Sequence, residues 1–163
     1  MEPLFKNSQV IKLNDKDFRI SQTETGHTQV KLVNDQFKNK DGYLMIYASW
    51  CPHCRAKEDF WSYLGEQFNS NPTFKKEGFR IGVVDSENPQ AVNVLQALQV
   101  GPIPRFMHVI PDRKNFGHGN LVDYQGHDLT PESLIGEICD MSPGDTLCHF
   151  DPKVLNPPPI SYN

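Results

Sequence analysis

Several features are scarce in this chain of 163 residues. No stretch approaches the roughly 20 consecutive apolar residues that a membrane-crossing helix needs, so no membrane role is expected. Charge of one sign is never concentrated: 16 Lys and Arg are interspersed with 20 Asp and Glu, for a net −4. Nucleic-acid binding rests on clustered cations that neutralise phosphates, so that class is set aside as well. Four cysteines are too few for a disulfide-built scaffold at this length. The opening MEPLFKNSQVIKLNDKDF has neither the basic start nor the apolar stretch of a secretory leader. A cytoplasmic chain is the expectation, with an oxidising compartment or a virion as the alternatives. No internal repeat is visible.

What is present fits one compact domain with a real core: 37% of residues are hydrophobic and 22% charged, in a chain long enough to bury them. QVIKL (9–13) alternates like a half-buried strand, and FRI and TQVKLV (28–33) around SQTETGH predict a hairpin. Asp41-Gly42 reads as a turn. The nearly continuous apolar run YLMIYAS (43–49) suits a strand buried on both faces. From Pro52 the period changes, and Phe60, Leu64 and Phe68, with Trp61, mark the inner face of a helix ending near Asn69. FRIGVVD (79–85) is another strand, and NPQAVNVLQAL another helix, with Asn88 as its cap and Pro89 in its first turn. RFMHVI and LVDYQG predict an antiparallel pair, and TPESLIGEIC a last helix. The closing 24 residues hold five of thirteen prolines and read as an irregular tail. The order predicts an α/β fold, a mixed sheet with helices on both faces.

Cys51 and Cys54 stand two residues apart where the buried strand hands over to the helix. A zinc half-site is one reading, but zinc usually wants four ligands in close pairs. Cys139 and Cys148 lie eight residues apart on a late helix and the tail, so no metal is expected. The redox reading has a physical basis. A sulfur at a helix N-terminus meets unpaired N–H groups and the positive end of the dipole, which favour the thiolate that attacks disulfides. Cys54, one turn further in, is placed to attack only a mixed disulfide. Pro52 at the first helical position costs no hydrogen bond.

YASWCPHC (47–54), VVDSENP (83–89), VGPIPRF (100–106) and DYQG, in this order, resemble the thioredoxin superfamily over residues 9–140. The resemblance implies a thioredoxin-like domain over 1–140, with extra N-terminal strands and a Pro-rich extension over 141–163. It implies a cis bond at Ile103-Pro104, where the backbone pairs with the substrate peptide. It implies Cys51 as nucleophile and Cys54 as resolving thiol, with no cofactor. Protein substrates bearing cysteines or disulfides, and a redox recycling partner, are the implied partners. Pro52-His53 between the cysteines matches the strongly oxidising members of the superfamily. His53 then places positive charge near Cys51, or is merely solvated, and Arg55 reads as an ordinary solvated helix residue. Trp50 covers the disulfide, or is a partly buried aromatic at a strand end. One departure stands out: the family often carries a buried acid six residues before the first cysteine, and here that residue is Met45.

The resulting expectation is a thiol–disulfide oxidoreductase, more oxidising than thioredoxin; the alternative is a non-catalytic interaction module of the same fold. Reductase, oxidase and isomerase share these residues, so the direction of electron flow stays open. Cys139 and Cys148 are either a structural disulfide or free thiols.

Overall fold

The computed structural model describes residues 2–72 and 79–124, together with Ser133, Leu134 and Glu137. In chain order the elements are β1 (Ile11–Leu13), β2 (Phe18–Gln22), β3 (Thr28–Leu32), β4 (Asp41–Tyr47), α1 (Pro52–Gly65), β5 (Phe79–Asp85), α2 (Val92–Ala97), β6 (Arg105–Pro111) and β7 (Gly119–Asp123). The strands form one sheet in the order β1-β5-β4-β6-β7-β3-β2. The apolar run read from sequence is β4, parallel to β5 on one side and antiparallel to β6 on the other.

Successive strand residues face opposite sides of a sheet, and this sorts the core into two layers. Tyr43, Met45 and Tyr47 pack with Cys54, Trp61 and Leu64 of α1, whereas Leu44 and Ile46 pack with Val94 of α2. Helices therefore cover both faces, as expected. The early strands go to opposite edges. β1 lies parallel beside β5, and the β2–β3 hairpin extends the other edge through β7.

Two local readings are revised, and the helix expected to end near Asn69 does so with a change of winding. Asp41-Gly42 is not a turn but the start of β4. A Cβ on Gly42 would lie 2.6 Å from both the Arg80 carbonyl oxygen and the Phe37 ring, so glycine is there for close packing. The α-helical part of α1 stops at Gly65 and widens into a π turn over Glu66–Ser70. There the Asn69 side chain bridges strands, donating to the Gln9 and Ile81 carbonyls at 2.8 and 3.0 Å and accepting from Ile81 N–H at 3.0 Å. Asn88 caps a 3-10 turn (Pro89–Ala91), not α2 itself. Of the last predicted helix, Ser133, Leu134 and Glu137 are helical, and Leu134 is buried on the α1 face. Cys139, Cys148 and the 141–163 extension lie outside the described residues.

Candidate active site

The site forms where β4 ends and α1 begins. Cys51 is the N-cap of α1, with extended backbone, and Pro52 occupies the first helical position. The Cys51 Sγ accepts the Cys54 backbone N–H at 3.3 Å. It meets one of the donors that a helix start leaves without an internal partner. From the other side Cys51 Sγ donates to the Ile103 carbonyl at 3.8 Å, and the Ile103-Pro104 bond is cis. Residues about fifty positions apart thus meet at one sulfur.

Both thiols belong to the α1 layer of the core, Cys51 3% and Cys54 0% exposed, but they face different surroundings. Cys51 lines an open cleft of about 500 Å³ with Trp50, Pro52, His53, Ser86, Leu95, Val100, Gly101, Pro102 and Ile103. Cys54 is fully buried in the α1 layer. Burial, then the hydrogen bond with Cys51, pushes its thiol up to about 12. Trp50, three residues after the end of β4, is 58% exposed and forms a wall of the cleft. His53 is exposed beside it. Pro104 is half-buried and is not among the cleft walls, whereas Ile103 is. Met45 is fully buried, so no carboxylate stands at its position. Among the described residues no group of three or more His, Cys, Asp or Glu side chains could hold a metal ion.

Arg55 corrects the sequence reading. Its Nη1 donates to the Glu2 and Ser49 carbonyls at 3.0 and 2.8 Å, so the side chain is tied down on an N-terminal segment that sequence reasoning passed over. Leu4 and Phe5 of that segment are buried. The Phe5 N–H donates to Glu58 Oε2 at 2.7 Å, and the Phe5 ring stands edge-on to Tyr47 at 5.0 Å. The cleft walls Ser86, Leu95, Val100 and Gly101 were also not singled out. VVDSENP carried a signal for Ser86 and VGPIP one for Val100 and Gly101, while Leu95 had none.

No family model matches the chain. It is similar to the protein disulfide-isomerase of Gallus gallus, at 29% identity over 92 residues, covering 55% of this chain and 15% of that protein. It is also similar to protein disulfide isomerase-like 1-4 of Arabidopsis thaliana, at 29% over 94 residues, covering 48% and 15%. The chain thus spans about 15% of the length of these curated relatives. Among solved structures, the Trx4 domain of ERdj5 matches with a TM-score of 0.52 at 14% identity, covering 84% of this chain and 97% of that one. The J-Trx1 fragment of ERdj5 matches at 0.51 and 15% identity, covering 82% and 51%. The chain has the thioredoxin fold, and about half of it is similar in sequence to these disulfide isomerases.

Proposed function

We propose that this chain is a thiol–disulfide oxidoreductase acting on protein cysteines, with Cys51 as the attacking sulfur and Cys54 as the resolving one. One observation carries the reading. Cys51 Sγ sits at the start of α1, takes the Cys54 N–H at 3.3 Å, and lines an open cleft that Cys54 does not reach.

In the reducing direction, the Cys51 thiolate attacks one sulfur of a substrate disulfide. The substrate S–S bond breaks, a mixed disulfide to Cys51 forms, and the other substrate sulfur leaves with the electron pair. Cys54 loses its proton and attacks the Cys51 sulfur. The substrate's second sulfur leaves, and a Cys51–Cys54 disulfide remains. The substrate has gained two electrons and the pair has lost two. The oxidising direction runs these steps backwards, and a dithiol or disulfide partner resets the pair. Trp50, Ile103 and the apolar walls of the cleft give a peptide backbone and its neighbouring side chains a place to lie against the reacting sulfur.

His53, exposed two residues after Cys51, adds positive charge when protonated and so favours the reduced pair. A stabilised reduced pair is a stronger oxidant, which places the potential between roughly −120 and −270 mV. The test is equilibration with glutathione, the extent of Cys51–Cys54 oxidation being read by mass. A potential at or below the lower end removes the oxidising bias, and no disulfide at any poise removes the enzyme.

The buried Met45, where the family often has an acid, favours a second reading: a non-catalytic module that grips a partner in the same cleft. Insulin reduction by dithiothreitol separates the two. The enzyme reading requires that wild type accelerate it and Cys51→Ser not, while equal rates favour the module.

A further inference from the structure

We propose that Glu58 accepts the proton Cys54 must lose to resolve the mixed disulfide, its carboxylate held in place by the N-terminal segment. The proposal rests on the thiol-exchange reading above. A fully buried thiol with an apolar Met45 on the adjoining strand needs a base from elsewhere before it can attack. Glu58 lies four residues after Cys54 on α1, and such residues share a helix face with Cβ atoms about 5–6 Å apart.

Glu58 is not an ordinary solvated helix carboxylate. It is half-buried, and its Oε2 takes the Phe5 N–H at 2.7 Å. Phe5 is 1% exposed and has φ 62, a left-handed backbone that a bulky residue adopts only when its surroundings hold it there. Its ring braces Tyr47 edge-on. Tyr47 lies in the same core layer as Cys54, and its phenol is held protonated by burial first, then by the charges of Asp85, Glu58 and Cys54. Asp85 is the competing base and, like Glu58, accepts one backbone N–H, from Glu87 at 2.9 Å, but it lies at the end of β5 rather than on the helix that carries the thiol.

In the proposed step the Cys54 S–H proton moves to the Glu58 carboxylate. The sulfur keeps the electron pair and attacks Cys51. The Cys51–substrate bond breaks, the Cys51–Cys54 bond forms, and the departing substrate thiolate takes up a proton from Glu58 or from water.

The experiment uses the full chain with Cys139 and Cys148 changed to serine, reduced and mixed with dithiobis(nitrobenzoate) in a stopped-flow instrument. Attack by Cys51 releases one coloured nitrothiobenzoate, and resolution by Cys54 releases the second. Glu58→Gln keeps an oxygen to accept the Phe5 N–H and so preserves the segment. It is expected to leave the first release unchanged and slow the second about 10- to 100-fold, in the range of a lost general base. Glu58→Asp is expected to recover most of that rate, which a purely structural role would not predict. An unchanged second release in Glu58→Gln overturns the proposal and leaves the oxidoreductase reading standing, as does slowing in Asp85→Asn instead. Absence of any second release in the parent chain overturns both.

Discussion

In a Cys51→Ser variant, the ionisation of Cys54 can be followed alone by iodoacetamide alkylation and peptide mapping. Burial, the largest cause, and then the hydrogen bond with Cys51 lift this thiol from 9.0 to about 12. Three pH units mean about a thousandfold less thiolate at neutral pH. Serine removes the Cys51-dependent causes and leaves burial, the largest single one, so a thiolate deficit against the unfolded chain is still expected. Slow alkylation alone would not separate ionisation from simple occlusion, but its pH profile does. An occluded thiol with an ordinary pKa reacts slowly and levels off near 9.0. A thiol held neutral by burial keeps gaining about tenfold per pH unit beyond that point. The linkage has a definite sign. The folded pKa lies above the unfolded one, so stability tied to Cys54 is fully present below 9.0 and is lost as pH rises toward about 12. The unfolding midpoint of the reduced protein should fall across that window, and that of a Cys54→Ala variant should fall less. Levelling-off of the folded protein's alkylation rate near 9.0 would refute the reasoning.

Gly42→Ala should cost about 1–3 kcal/mol in a urea melt, the usual range for overpacking, because the added Cβ meets a backbone carbonyl as well as the Phe37 ring. Trp61 is fully buried and its Nε1 donates to the Gly82 carbonyl at 3.0 Å. Trp61→Ala should therefore lose about 3–5 kcal/mol in the same melt, and Trp61→Phe clearly less. Lys31 on β3 pairs with Asp112 after β6 and, with the Lys114 N–H, holds that carboxyl well below the usual carboxylate range. A depressed pKa means stability that is present above 3.8 and lost as pH falls through the folded value. Asp112→Asn should flatten the acid-side decline of the urea midpoint.

The parts of the fold legible in sequence are those whose evidence is local. The run from Tyr43 to Ala48 is apolar at every position, and Phe60, Leu64 and Phe68 keep a helical period, so β4 and α1 could be placed from neighbours alone. Cys51 and Cys54 were legible for the same reason, since strand, cysteine and Pro52 follow one another directly. Asp41-Gly42 failed because the dipeptide is a turn signal locally, while its role is decided by Phe37 and by Arg80 across the sheet. The edge each early strand would join could not be read either. β1 and the β2–β3 hairpin differ little in pattern, and their partners β5 and β7 are settled by topology. Arg55 looked solvated because its acceptors, the Glu2 and Ser49 carbonyls, are backbone groups with no side-chain signature. Phe5 was missed because one aromatic in a short polar stretch has no period to announce that it is buried.

The two sides of the cysteine pair divide the chemistry between them. On one side Cys51 meets a cleft whose walls come from the end of β4, the start of α1, Ser86, Leu95 of α2 and the loop before β6, and in the proposed reaction a substrate sulfur comes up to Cys51 there. On the other side Cys54 meets Met45, Trp61 and the rest of the α1 layer, sealed by Leu4 and Phe5, so water has little access to the thiol that must give up a proton. An apolar seal protects a mixed disulfide from stray attack but slows its resolution, unless the seal itself brings a base to the thiol. The Phe5 N–H on Glu58 joins these two requirements in one contact. The N-terminal segment is then part of the site rather than a trailing end. Phe5→Gly, which relieves the left-handed backbone and removes the brace on Tyr47, should slow the second nitrothiobenzoate release and spare the first. Slowing of both releases together would mean that the segment serves folding alone.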